Sequence, residues 1–326
     1  MPAGPQPAQA AAVNVYSARQ EVLIRPLFDR FTAETGIEVN VVSGNADMLL
    51  QRLRREGANS PADVLLTVDA GRLVRAKEAG VLQPVESRLL DSSIPARYRD
   101  PQGTWYGLSV RARPIVYAKD RVKATELSTY EALADPTWKG RICVRSSNNI
   151  YNQSMLSAMI EHLGVERTEA WAKALVANFA RTPQGGDRDQ IRAVAAGECE
   201  IAIANTYYLA RLTRSDNPKD RDVAARVAIF WPNQSGRGVH VNISGAAVTK
   251  SARNRENAIK LLEFLVSREA QRIYAEVVNE YPVKPGVPTS DVVASWGEFK
   301  ADDLNLVVLG ENNAEAVRIA DRVGWK

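Results

Sequence analysis

Tyrosines and arginines carry most of the chemistry that this sequence offers. Tyr207 and Tyr208 stand together at the end of the apolar run CEIAIAN, which reads as a buried strand. Tyr151 opens a helical stretch preceded by Ser146, Ser147, Asn148 and Asn149, all good capping residues. A phenol titrates near 10, so it becomes a ligand only when a strongly Lewis-acidic metal displaces its proton. Hard, highly charged cations prefer such oxygen donors, and trivalent iron meets that condition where zinc or cuprous ions would select nitrogen or sulfur. Half-buried tyrosines with hydrogen-bonded hydroxyls fit the same pattern. Arg111 and Arg113 lie in the middle of the extended segment TWYGLSVRARPIVYAKD, where they could fork onto an anion or form structural ion pairs.

Other chemistries find little support. The sequence has no G-x-S-x-G, H-E-x-x-H, Walker loop or G-x-G-x-x-G after a strand, so no enzymatic activity is expected. Its two histidines, His162 inside a helix and His240 beside a strand, make a catalytic triad or His-rich metal site improbable, and His162 reads as an ordinary helix residue. Gly185-Gly186 reads as a capping turn, since no Lys-Ser/Thr follows to make a phosphate cradle. Cys143 and Cys199 are the only cysteines, and each adjoins an apolar strand-like run. In an exported protein they would pair, closing a loop for roughly 3–4.5 kcal/mol of stabilisation in the chain-entropy model; otherwise they are two buried thiols.

The elements that must position these residues are legible in outline. A chain of 326 residues suits two α/β lobes better than one core. With 45% hydrophobic and 25% charged residues it has the composition of a soluble globular protein. No apolar run is long enough for membrane insertion. A net charge of +4 without a dense basic tract gives no nucleic-acid signature. From Val13 the pattern is strand (VNVYS), helix (EVLIRPLFDRFTAETG), strand (IEVNVVSG), helix (ADMLLQRLRREG) and buried strand (ADVLLTVD), which predicts a parallel sheet covered by helices. Ligands of such sheets bind beyond the carboxyl ends of strands, which places Tyr16 to Gln20 and Thr67 to Asp69 at a cleft. TWYGLSVRARPIVYAKD and HVNISGAAVTK read as crossing strands between lobes, and NRENAIKLLEFLVSREAQRIYAEV as one amphipathic helix. At the start, Ala8-Gln9-Ala10 has the form of a signal-peptidase site, so residues 1–12 read as the remnant of an export signal or a disordered end.

Seven segments, VNVYSARQ, SPADVLLTVDAGRL, WYGLSVRAR, WKGRICVRSSNNIYNQS, PQGGDRDQIRAVAAGECEIAIANTYY, NISGAAV and NEYPVKPGV, together resemble the ferric-binding proteins of bacterial iron ABC importers. They occur in family order from about Val13 to the C-terminus. The resemblance implies a two-lobed periplasmic-binding-protein fold of the transferrin-lobe type, each lobe a mixed sheet covered by helices and joined by hinge strands. Residues 13–112 plus 243–281 would form the N-terminal lobe, and 113–242 plus 282–326 the C-terminal lobe. It implies a periplasmic monomer that delivers iron to an inner-membrane ABC permease. Tyr151, Tyr207 and Tyr208 match the family's tyrosine ligands, and Cys143 and Cys199 a cysteine pair seen in some members.

The sequence departs from the family at two ligand positions. Gln20 and Glu21 stand where other members carry a histidine or a His-Tyr pair, and Val68 stands where some carry a carboxylate. The chain thus resembles the subgroup in which three tyrosines and a carbonate or bicarbonate anion complete the site. In that subgroup the first arginine of R-A-R, here Arg111, holds the anion, with Arg19 and Gln20 nearby; Arg113 is the rival holder. Charge counting agrees: Fe³⁺ with three phenolates is neutral, so an added anion needs a guanidinium to offset it. The same fold also serves solute-binding proteins for organic cations or oxyanions, which is the competing expectation.

Overall fold

The computed structural model describes residues 11–326, so the Ala8-Gln9-Ala10 site lies outside the described residues. Ten strands form two sheets. In the first, β1 (Ala12–Ser17) pairs in parallel with β2 (Glu38–Ser43) and β3 (Val64–Val68). β9 (Val241–Val248) runs antiparallel to β3 and to β4 (Tyr106–Ala112), and β10 (Tyr281–Pro282) closes the far edge against β4. The sheet is therefore mixed: three parallel strands as the sequence predicts, then three in antiparallel pairing. In the second sheet β6 (Ile142–Cys143) is parallel to β7 (Ile201–Ile203), and β5 (Ile115–Ala118) lies antiparallel between β7 and β8 (Val227–Phe230).

The chain passes between sheets where β4 gives way to β5 and where β8 leads to β9. The long extended segment is two strands rather than one, because Pro114 has no N–H to continue the ladder. Arg113 N still donates to His240 O at 3.0 Å, so the two crossings run side by side. The first sheet holds Val241 and Asn242 as well as Pro282, which moves the expected lobe boundaries by one or two residues.

Three further elements differ from expectation. The tail helix is two, Arg255–Leu265 and Arg268–Val278, because Ser267 caps the second by accepting from Ala270 N at 3.1 Å. RICVRS contributes only two strand residues. The run CEIAIAN ends as a strand at Ile203; Asn205 then starts the helix Thr206–Thr213, so Tyr207 and Tyr208 occupy a helix's first turn rather than a strand end. Cys143 and Cys199 form a disulfide with Cα atoms 5.9 Å apart, tying β6 to the segment that enters β7.

The lobes also meet away from the crossings. Helix Val308–Glu311 packs against Ala70–Glu78 of the first lobe and Ile150–Leu163 of the second, and Gly310 lies so close to Val74 that no side chain would fit. Beside it Asp69 adopts a positive φ of 81°, a strained conformation for a residue with a Cβ. Its buried carboxylate accepts from Gly71 N at 2.9 Å, Asn242 Nδ2 at 2.8 Å and, across the lobes, Ser154 Oγ at 2.7 Å. The Ser154 bond joins the two lobes and would be lost if they separated. Ser154→Ala is therefore expected to weaken the closed form by about 1.5–3 kcal/mol, the worth of a hydrogen bond to a charged group. Solution scattering should show a larger radius of gyration than native; an identical profile would mean that the clasp does not hold the lobes.

Candidate functional site

The phenols of Tyr151 and Tyr207 come together from two helix starts of the second lobe. Tyr207 Oη donates to Tyr151 Oη at 3.1 Å, and the rings of Tyr207 and Tyr208 lie 4.2 Å apart at an interplanar angle of 38°. Tyr207 is 6% exposed, while Tyr151 and Tyr208 are half-buried. Burial, followed by repulsion from Tyr151 and Tyr208, pushes the Tyr207 phenol well above its ordinary value. Burial likewise pushes Tyr208 up to about 12, with Tyr151 and Asp187 adding to it. Both hold their protons at neutral pH, and a ligand that takes them as phenolates must supply the charge that makes this favourable. Among the described residues no group of three or more His, Cys, Asp or Glu is placed to hold a metal ion. The donor set on offer to a hard cation is phenolic.

Two helix starts are fixed by one buried carboxylate. Asp187 Oδ2 accepts from Asn205 N at 2.8 Å, which sets the start of the Tyr207 helix, and from Arg113 Nη1 at 2.8 Å. Arg113 in turn reaches Asn205 Oδ1 at 3.1 Å and, through Nη2, Asn152 Oδ1 at 2.6 Å on the Tyr151 helix. The rival anion holder of the sequence reading is thus engaged elsewhere: Pro114 ends β4, and the Arg113 side chain turns into the second lobe. Arg145 Nη1 also reaches Asp187, at 3.3 Å, and its guanidinium lies 5.6 Å from the centre of the Tyr151 ring.

Arg111 approaches the phenols from the first lobe. Its guanidinium lies 5.3 Å from the centre of the Tyr151 ring while Nη2 donates to Ile243 O at 2.7 Å and Nη1 to Ser244 Oγ at 3.0 Å. Arg19 sits behind it, donating to Ser244 Oγ and paired with Glu280 at 3.2 Å. Burial disfavours the Arg111 charge, but the tyrosines and Glu280 reverse this and raise its pKa. Gln20 is not drawn in: it is exposed at the start of helix Glu21–Thr35 and makes no side-chain cap bond there. Val68 ends β3, and Asp69 serves the lobe clasp.

Four site residues escape the sequence reading: Arg145, Asp187, Glu280 and Arg211. Arg211 lies with its guanidinium 5.2 Å from the centre of the Tyr207 ring. Helical spacing carries that signal, since Arg211 is four residues after Tyr207, but a strand reading of the pair hides it. Asp187 is visible only as a helix-start aspartate, and Glu280 only as part of NEYPV.

Residues 59–298 match the family described as bacterial extracellular solute-binding protein. The chain belongs to that family. The iron uptake protein A1 of Synechocystis sp. (strain ATCC 27184 / PCC 6803 / Kazusa) is 52% identical over 100% of this chain and 90% of its own length. Among solved structures, Trichodesmium IdiA (FutA) in complex with iron and citrate ligands superposes with a TM-score of 0.95 at 55% identity, covering 97% of this chain and 100% of that one. The ferric binding protein from Campylobacter jejuni superposes with a TM-score of 0.92 at 41% identity, covering 96% and 100%. The chain shares the two-lobed architecture of these structures over nearly its whole length. No described helix is long and apolar enough to cross a membrane.

Asp187 gives a direct test of the scaffold. Asp187→Asn leaves Arg113 as a buried charge without its carboxylate and is expected to lower stability by about 3–5 kcal/mol in denaturant melts. Because Asp187 raises the Tyr208 pKa, removing its charge should also move that phenol's alkaline titration downward from about 12. A melt within 1 kcal/mol of native, judged against the usual scale of a broken buried pair, would show that the amide partners alone hold the helix starts.

Proposed function

We propose that this protein binds ferric iron in the bacterial periplasm and delivers it to an inner-membrane ABC permease. Tyr151, Tyr207 and Tyr208 act as phenolate ligands, and Arg111, with Arg19 behind it, holds a carbonate or bicarbonate that completes the metal's coordination. The observation that carries this reading is the convergence of Tyr151 and Tyr207, with Tyr208 stacked on Tyr207, opposite the guanidinium of Arg111. The similarity to an iron uptake protein of Synechocystis and to the ferric binding protein from Campylobacter jejuni supports it. An organic cation would face Arg111, Arg145 and Arg211 and is electrostatically disfavoured; an oxyanion is not, and the iron-dependent visible band tested below separates that competing ligand from ferric iron.

Iron uptake should release protons. Tyr207 and Tyr208 are protonated at neutral pH, and each phenol that becomes a ligand loses its proton. With three tyrosine ligands about three protons leave per iron, so apparent affinity rises with pH and falls as pH drops. Adding ferric citrate should produce a visible charge-transfer band. Tyr207→Phe and Tyr208→Phe should each bleach or shift that band and weaken binding while lowering apo stability by no more than about 1 kcal/mol, the worth of one neutral hydrogen bond. A native spectrum and affinity in both variants would sink the ligand assignment.

The anion has its own test. Arg111→Ala should remove the dependence of iron affinity on added bicarbonate and raise the pH at which half of the iron is lost. Unchanged bicarbonate and pH dependence would show that Arg111 does not hold the anion.

A further inference from the structure

Glu280 is a carboxylate outside the phenol cluster, yet it is 1% exposed and lies against both arginines of the first lobe. Its Oε1 is 3.2 Å from Arg19 Nη1, 3.3 Å from Arg19 Nη2 and 3.9 Å from Arg111 Nη1. Its Oε2 accepts from Ser244 Oγ at 3.1 Å and from Ser109 Oγ. Ser244 accepts from Arg19 and Arg111 and its hydroxyl donates a hydrogen bond to Glu280, so one hydroxyl links all three charges. The serines belong to β4 and β9, and Glu280 immediately precedes β10, so three neighbouring strands of one sheet build this cluster. The two guanidiniums and the carboxylate leave one net positive charge behind the Tyr151 ring rather than two.

We propose that Glu280 is a specificity-determining residue: a built-in counter-anion that shares Arg19 and Arg111 with the exogenous anion and sets how much negative charge that anion carries. The proposal rests on the functional reading above and deepens it. An ionised Glu280 repels a second anion at the same arginines, and the repulsion scales with that anion's charge. A dianion therefore feels it twice as strongly as a monoanion in the same position. Neutralising Glu280 raises dianion affinity by the square of the factor for a monoanion. Asp69 also faces Arg111, but its carboxylate is committed to Ser154, Asn242 and Gly71 and is common to every variant below. On the other side of the phenols Arg145, Arg211 and Asp187 are likewise untouched.

The test titrates the visible band of iron-loaded protein at pH 8 with formate, a monoanion, and with inorganic phosphate, largely a dianion. The quantity read is the ratio of the two half-shift concentrations. Glu280→Gln is expected to move that ratio roughly tenfold or more toward phosphate. Arg19→Gln combined with Glu280→Gln removes one charge of each sign and should return it toward native. A purely structural role for Glu280 would weaken both anions alike and leave the ratio where it was. If Glu280→Gln does not fold, Glu280→Asp decides: it keeps the charge but draws it one methylene away from the guanidiniums, and the ratio should move the same way by less. An unchanged ratio in whichever variant folds overturns the proposal while leaving the iron reading intact. A native protein that gives no iron-dependent band overturns both.

Discussion

Arg113 stands at the point where the chain leaves one sheet for the other, and its guanidinium is buried there. A buried guanidinium is tolerated only when it is paired and its donors are satisfied. Its two terminal nitrogens bond to Asp187, Asn205 and Asn152, which belong to three separate helix starts, while its Nε makes no hydrogen bond. Satisfying this one charge thereby fixes the angular relation between the helix that carries Tyr151 and the helix that carries Tyr207 and Tyr208. The phenol cluster follows from the backbone as much as from the tyrosines themselves. The disulfide between Cys143 and Cys199 works on the same region from below, tying β6 to the segment that feeds β7 and then Asn205.

The division of labour between lobes gives the site its logic. Phenols sit in the second lobe at the N-termini of helices, where the dipole favours negative charge. Arg19 and Arg111, with Glu280, sit in the first, fastened to β9 through Ile243 and Ser244. A metal taken by the phenols alone would need no closure; a metal whose coordination is completed by an anion on Arg111 needs both lobes. Closure is stabilised independently of any ligand by the Asp69 clasp and by the close seat of Gly310 on Val74. These contacts favour the arrangement in which the lobes meet, and a ligand shifts that balance only by what it gains in one arrangement over another.

Much of this was legible in the sequence, for physical reasons that separate what was read from what was not. Periodicity and caps located the first lobe's β-α-β-α-β pattern because each element buries a regular face: Val13 and Val15 in β1, and Ile24, Leu27, Phe28 and Phe31 in the following helix. The tyrosines stood out by type, and resemblance supplied their grouping. The helical setting of Tyr207 and Tyr208 was hidden because the apolar run IAIA reads straight on into them, and the bond from Asn205 N that marks the helix start goes to Asp187, distant in sequence. Arg113 was misplaced for a related reason. Strand alternation puts it on the face of Arg111, but Pro114 breaks the strand and the side chain follows its buried partner. Glu280 and Arg145 left no local pattern at all, since a buried ion pair is a relation between remote positions.

The same charges that build the site also suggest how it would let go. Tyr207 and Tyr208 are both raised by burial and by Tyr151, so in the proposed reading any event that removes the metal's charge returns them to the protonated form at neutral pH. Opening the lobes would withdraw Arg111 from the face of Tyr151 and with it the anion proposed to sit on that guanidinium. Separation of the lobes, loss of the anion and return of the phenolic protons are then three views of one electrostatic change, each making the next more favourable. A site whose phenols are neutral without the metal and charged only with it can, in the proposed reading, hold a trivalent cation firmly while closed. Once opened, it retains little to hold the cation with.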